Sequence, residues 1–305
     1  MTVQIATFYR FFSFPDYQAW QPRLIAFCRA QALKGTILLA AEGLNATLAG
    51  SREELETLLA YLGEDSRLLD LEPKWSEAAN MPFQRLKVRL KKEIVSLGVP
   101  VDPVRKVGAY VSPENWNALI SDPEVLLLDT RNHYEVRIGT FAGAVDPHTD
   151  SFREFPDYVR KNLDPQTHRK VAMFCTGGIR CEKATSYLLE QGFDQVYHLE
   201  GGILKYLETV PAEESRWQGE CFVFDQRVAV EQGVSEGHYV MCLACGEPVS
   251  QSDLASPDFE AGVACPACVA THSAEQKARA REKQRQKVLA EAAAKKRASS
   301  VSSQT

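Results

Sequence analysis

Long hydrophobic runs are absent from this chain of 305 residues. No stretch approaches the roughly 20 apolar residues that cross a bilayer, which excludes a transmembrane protein. The opening residues Met1-Thr2-Val3-Gln4-Ile5-Ala6 put no basic segment ahead of an apolar one. Secretion is therefore not expected, and the chain reads as cytoplasmic. A Gly-x-Gly-x-x-Gly is missing too, so no nucleotide cofactor motif marks a flavin or nicotinamide site. There is no internal repeat, which removes solenoids and propellers. What is present is ordinary for a globular protein. Hydrophobic residues at 45% and charged residues at 25% exclude wholesale disorder, and the length favours two or three domains. Without an export signal, the eight cysteines point to metal or thiol chemistry rather than a disulfide framework.

Charge is unevenly spread. The formal net charge is −5, yet from Ser273 onward nine Lys/Arg stand against three acids, so a +6 tail follows a body of −11. Residues 1–95 read as a β-α-β-β-α-β unit, the order of a ferredoxin-like α+β fold. Its marks are a β-branched and aromatic run from Val3, two apolar runs joined by Glu42-Gly43, and a capping box Ser51-x-x-Glu54 ahead of Leu55, Leu58, Leu59 and Leu62. The last strand, residues 85–91, alternates Leu86, Val88 and Leu90 with Arg85, Lys87, Arg89 and Lys91. Four cations on one face suit a phosphate backbone, or simply form a solvated outer face. Phe8, Tyr9 and Phe11 are either stacking surfaces for a base or core.

A proline- and glycine-bearing linker is expected over residues 96–113. Residues 114–215 then alternate short apolar strands with helical patterns, as in a parallel α/β sheet covered on both faces. Residues 216–272 read as a β-hairpin plus two cysteine pairs, and residues 273–305 as a basic helical or disordered tail.

In the parallel sheet, Cys175-Thr176-Gly177-Gly178-Ile179-Arg180 lies between a strand and a helix, at the carboxyl end where such sheets place chemistry. Two glycines let backbone N–H groups converge on an anion, the next helix adds its positive end, and Arg180 adds a charge. All three favour thiolate over thiol at Cys175. Leu128-Asp129-Thr130-Arg131-Asn132-x-x-Glu135, Gly139, Ala142-Gly143-Ala144, this loop and Leu199-Glu200-Gly201-Gly202 together resemble a rhodanese domain. The resemblance implies a cysteine persulfide cradled by loop amides. Its C-x4-R spacing is one residue shorter than that of the related phosphatases. Cys181, next in line, is either a resolving thiol or a small residue packed on the helix.

The likeness extends further. Gly35-Thr36-x-Leu38-Leu39-Ala40-x-Glu42-Gly43-x-Asn45-x-Thr47-x-Ala49-Gly50, Phe141-Ala142-Gly143-Ala144, the Cys175–Lys183 segment and Val223-Phe224-Asp225-x-Arg227-Val228 resemble the bacterial tRNA uridine hydroxylase family. That resemblance covers most of residues 1–270. It implies tRNA as partner, molecular oxygen as co-substrate, 5-hydroxyuridine at the wobble position as product, and the residue matching Cys175 as catalytic. It leaves the electron donor unknown. The competing reading is a small-molecule sulfurtransferase working through a Cys175 persulfide. A non-haem iron centre would need two histidines and a carboxylate, and His133-x-Glu135, His148-x-Asp150 and His198-x-Glu200 are short local matches only. Cysteine-based chemistry is preferred, with Cys175 adding to C6 of uridine.

Cys242-x-x-Cys245 and Cys265-x-x-Cys268, with nineteen residues between the pairs, have the spacing of a four-cysteine zinc ribbon. Four thiolates close the coordination sphere, so a structural Zn is expected; two redox dithiols are the alternative. The tail is either a phosphate contact or a solvated segment.

Overall fold

The β-branched run at the N-terminus forms β1 (Val3–Phe11), followed by α1 (Tyr17–Ala30). The two apolar runs become β2 (Lys34–Ala40) and β3 (Gly43–Gly50), antiparallel around Ala41-Glu42. The computed structural model describes residues 2–302, with side chains through residue 290. The capping box closes as expected: Glu54 N–H donates to Ser51 Oγ at 3.2 Å, and Ser51 N–H to the Glu54 carboxylate at 2.7 Å. It opens α2 (Arg52–Gly63), which buries Leu55, Leu58 and Leu62 on one face. Two more strands follow, β4 (Lys74–Ala78) and β5 (Leu86–Leu90).

The sheet order is β4-β1-β3-β2-β5, and this corrects one expectation. The strand that closes the ferredoxin-like unit is β4, antiparallel to β1. Residues 85–91 instead supply an additional strand, β5, parallel to β2 on the far edge. Lys74-Trp75-Ser76-Glu77-Ala78 shows no apolar alternation: Trp75 packs on the helical core, and on the other face only Ala78, at the strand end, joins a small apolar cluster with Ile5 and Ala49. The alternation in β5 also fades: Val88 is buried, but Leu90 at the strand end is 38% exposed. Helices α1 and α2 cover one face of the sheet, over a core including Phe8, Leu24, Ile37, Ala46 and Leu58. The other face, carrying Thr7, Tyr9, Thr36, Asn45 and Thr47, has no helix of this domain over it.

Residues 96–113 are more than a linker. Leu97 is fully buried in the core of the following domain, and β6 (Ala109–Val111) is an edge strand of its sheet. After α3 (Pro113–Leu119) come β7 (Val125–Asp129), α4 (His133–Val136), β8 (Gly139–Phe141), α5 (Phe155–Asn162), β9 (Lys170–Phe174), α6 (Ile179–Glu190), β10 (Gln195–Leu199) and α7 (Gly202–Thr209). Strands β6-β10-β9-β7 form one parallel sheet. One core, with Val171, Met173, Ala184 and Leu188, lies on one side; another, with Trp116, Ala172, Phe174 and Ile203, lies on the other. Burial on both faces is why these strands read as continuous apolar runs.

The module expected over residues 216–272 is divided. β11 (Trp217–Gly219) pairs with β8, while β12 (Cys221–Phe222) and β13 (Ala229–Val230) make the hairpin. All three belong to a compact unit ending at Gly237, and residues 238–305 form a second unit. That second unit holds β14 (Val240–Met241) paired with β15 (Pro248–Val249), the short α8 (Gln251–Leu254) and the long α9 (Ala274–Ser302). The tail is therefore helical; the side chains of Lys295, Lys296 and Arg297 lie outside the described residues. Among the described residues no helix is long and apolar enough to cross a membrane.

Candidate active site

Cys175 follows β9 directly and is fully buried. Gly178 adopts φ 97°, a left-handed conformation favouring glycine, and this turns its N–H onto Cys175 Sγ at 3.2 Å. The loop's carbonyls are tied off on the other side. Ile203 N–H donates to Cys175 O and Leu204 N–H to Thr176 O, both at 3.0 Å, from the first turn of α7. Gly202 permits that approach: a Cβ there would fall 2.6 Å from both Cys175 O and Gly178 N. The two glycine motifs thus aim the loop's amides at sulfur.

Burial opposes a thiolate at Cys175. A hydrogen bond from Cys181, the Arg180 charge and the amides of Cys181 and Arg180 outweigh it, bringing the thiol down to about 6. Burial, together with hydrogen bonding to Cys175 and the charge on that residue, keeps Cys181 protonated, with its pKa well above the usual thiol value. Arg180 does not supply an unshared charge as expected. Its guanidinium forms two 2.7 Å hydrogen bonds to Glu135. The Asp129 and Arg131 of the same motif form a second buried pair, at 2.6 Å, with Arg131 also donating to Gly139 O.

A cavity of about 520 Å³ opens over this loop, lined by Cys175, Thr176, Gly177, Ile179 and Arg180. Its opposite wall is the helix-free face of the N-terminal sheet: Thr7, Tyr9, Thr36, Leu38, Asn45 and Thr47. Lys183 fastens the two halves, buried between Glu42 at 2.8 Å and Glu93 at 2.7 Å. Arg227, paired with Asp225 at 2.6 Å, reaches Ser76 Oγ at 2.8 Å from the hairpin side.

The basic strand lies beside this cavity. In register, Lys87 is opposite Thr36 and Arg89 opposite Leu38, so these cations project from the cavity-lining face. Lys91 lines the cavity itself, and Arg85 is exposed at the start of the run. Of the three aromatics considered for base stacking, Phe8 is core, Phe11 is partly buried and Tyr9 reaches the cavity. Phe224 is read in the sequence only as part of the Val223–Val228 motif, with no role at the site. It is 64% exposed on the rim, with the Arg180 guanidinium 5.9 Å from its ring centre. A Val-Phe-Asp-x-Arg motif with an aromatic ahead of a buried ion pair was its one signal.

None of the local His-x-Asp/Glu pairs forms a metal set. Glu135 is engaged by Arg180, and His198 is buried. The structure instead groups His133, Asp146 and His148, with His133 Nδ1 2.6 Å from Asp146 Oδ2 and 3.1 Å from His148 Nδ1. In the second unit, Cys242, Cys245, Cys265 and Cys268 converge. Cys265 Sγ lies 3.7 Å from both Cys245 Sγ and Cys268 Sγ. A tetrahedron with Zn–S bonds of ~2.3 Å has edges of about 3.8 Å, so this donor set suits a metal ion and is too open for disulfides.

A thiolate loop on a doubly covered parallel sheet, walled by a ferredoxin-like domain, defines a protein of the rhodanese class. The UPF0176 acylphosphatase like domain matches residues 3–94 and the rhodanese-like domain residues 112–209. A tRNA uridine(34) hydroxylase from Picosynechococcus sp. is 57% identical over 289 residues, covering 94% of this chain and 97% of that protein. The chain belongs to the tRNA uridine(34) hydroxylase family. Two solved structures overlap the rhodanese part of the chain. The rhodanese-like domain of an Anabaena sp. protein is 18% identical over 36% of this chain and 78% of its own, with a TM-score of 0.31. A rhodanese-related protein from Thermoplasma volcanium is 21% identical over 33% and 93%, with a TM-score of 0.27.

Proposed function

We propose that this protein hydroxylates the wobble uridine of tRNA at C5, with molecular oxygen as co-substrate and Cys175 as the catalytic thiolate. The observation that carries this reading is the cavity shared by Cys175 and the N-terminal sheet, in a chain that matches a tRNA uridine(34) hydroxylase almost end to end. Thiosulfate needs neither a second domain nor a cavity of about 520 Å³, so the sulfurtransferase reading leaves half the site unexplained.

Thr176, Gly177, Gly178, Ile179 and Arg180 form the anion-stabilising loop. The Cys175 thiolate adds to C6 of the uracil ring, and the C5=C6 electron pair shifts to make C5 electron-rich. C5 then bonds to one oxygen atom derived from O2. Loss of the C5 proton and cleavage of C6–S restore the ring and the thiolate. The second oxygen atom leaves as water, using two electrons and two protons from an external donor. Cys181, already hydrogen-bonded to Cys175, serves as the resolving thiol if Cys175 is oxidised. Arg85, Lys87, Arg89 and Lys91 hold the tRNA backbone next to the cavity mouth. Cys242, Cys245, Cys265 and Cys268 hold a structural zinc.

The test incubates purified protein with tRNA lacking the modification and a thiol reductant, in air or without oxygen, followed by nucleoside mass spectrometry. A nucleoside heavier by one oxygen, dependent on air and lost in Cys175→Ala, is expected. Thiosulfate-to-cyanide sulfur transfer with no such nucleoside would overturn the reading.

A further inference from the structure

Three acid groups beside the cavity have no task in the scheme above. Tyr9 Oη donates to Glu182 Oε1 at 2.7 Å, and Tyr110 stands beside the same carboxylate, near enough to favour its charged form. Tyr9 lines the cavity together with Cys175, whereas Tyr110 is 49% exposed. The Tyr9 hydroxyl also rests on the catalytic loop, since a Cβ on Gly178 would come within 2.8 Å of it. The three side chains come from β1, α6 and β6, elements far apart in sequence, yet they lead from the sheet wall of the cavity to the half-exposed Tyr110.

We propose that Tyr9, Glu182 and Tyr110 form a proton relay between the Cys175 cavity and bulk water. This rests on the cavity being the uridine site. When C5 exchanges hydrogen for oxygen, its proton must leave a buried site. That proton passes to Tyr9 Oη while the Tyr9 proton moves to Glu182 Oε1. The electron pair of the C5–H bond reforms C5=C6, and the C6–S pair returns to Cys175. Glu182 then gives its proton to Tyr110 Oη as Tyr110 releases its own to water, which restores the starting state.

The surroundings of Glu182 suit this role. Burial raises its carboxyl above the ordinary range, and a negative Cys175 adds to that; Tyr9, Tyr110 and Lys74 act in the opposite direction. Burial lowers Lys74, which lies 5.1 Å from the Tyr9 ring centre, against the pull of Cys175, Glu182 and Glu72 and with the repulsion of Lys205. Glu200 faces Tyr110. A carboxyl group that titrates nearer to neutrality both takes and gives a proton readily.

The test measures single-turnover 5-hydroxyuridine formation by the full-length protein across pH, with wild-type, Tyr9→Phe, Glu182→Gln and Tyr110→Phe. Expected is a rate loss on the order of 100-fold for Tyr9→Phe and Glu182→Gln, the magnitude typical of a lost general acid–base. In Glu182→Gln the acid limb should shrink to the part set by ionisation of Cys175 near pH 6, tRNA affinity should hold within about twofold, and formate should partly rescue Glu182→Ala. Tyr110→Phe, altered at the half-exposed end, keeps the fold and should slow the reaction and flatten the same limb. Unchanged rates and profile, or a pH-independent loss matched by weaker tRNA binding, would overturn the relay. Absence of product from the wild type would overturn the uridine reading instead, so the two failures are distinguishable.

Discussion

Arg180 grips Glu135 with two hydrogen bonds of 2.7 Å, both side chains buried beneath the Cys175 loop. The arginine therefore acts on sulfur as half of an ion pair, and amides and the Cys181 thiol share the work of holding the thiolate. Glu135→Ala leaves a buried guanidinium without its partner, a change worth about 3–5 kcal/mol of stability. Urea unfolding should report that loss. The Arg180 charge, no longer shared, should also draw the Cys175 pKa lower still.

Alkylation of Cys175 by iodoacetamide should follow its thiolate, with a rate that rises through about pH 6 rather than 9. Removing the Cys181 donor in Cys181→Ala should move that midpoint upward. Mass-resolved labelling against pH checks both; an unmoved midpoint would mean that Cys181 contributes nothing to the thiolate.

The proposed zinc site predicts one ion per chain, falling towards none in Cys265→Ser, because each of the four thiolates would fill a coordination position. Elemental analysis reads the metal directly. Limited proteolysis should then cut within residues 238–273 while residues 1–237 stay intact, since metal binding supplies the folding energy of such small modules.

Lys87→Glu and Arg89→Glu should weaken tRNA binding across sequences and flatten its salt dependence, by a slope of roughly 0.7–0.9 for each phosphate no longer neutralised. Titrations at several salt concentrations measure it. Truncation after His272 tests the basic tail in the same assay.

His198 is buried against Tyr110, ring centres 4.2 Å apart, and burial lowers its pKa to about 4. Unfolded histidine titrates at ~6.5, so between those values the unfolded chain binds the extra proton. Stability should fall as pH drops through that window and show no such contribution above it. His198→Phe should remove this part of the acid limb in thermal melts.

Features set by neighbours in sequence were legible in advance. The Ser51/Glu54 capping box, the β2–β3 hairpin and the Cys175 loop each depend on residues a few positions apart, and each stands where their chemistry places it. Features set by distant packing were not. β4 was invisible because only Trp75 of its residues packs on the helical core, and Ser76 on the other face meets Arg227, 151 positions away. Leu97 looked like part of a linker because its partners come from the next domain. Tyr9 showed only as an aromatic beside a strand; Glu182, its partner, lies 173 positions away.

The helix-free face of the N-terminal sheet also dictates what shape of RNA the site admits. With Cys175 fully buried, a uracil still stacked inside a duplex would not bring its C6 to the sulfur. The uracil must swing out of the stack, at a cost of a few kcal/mol that is smallest for a base already unpaired. An anticodon loop presents such bases and a stem does not. The steric depth of the cleft would thus discriminate by strandedness before any hydrogen bond reads the base.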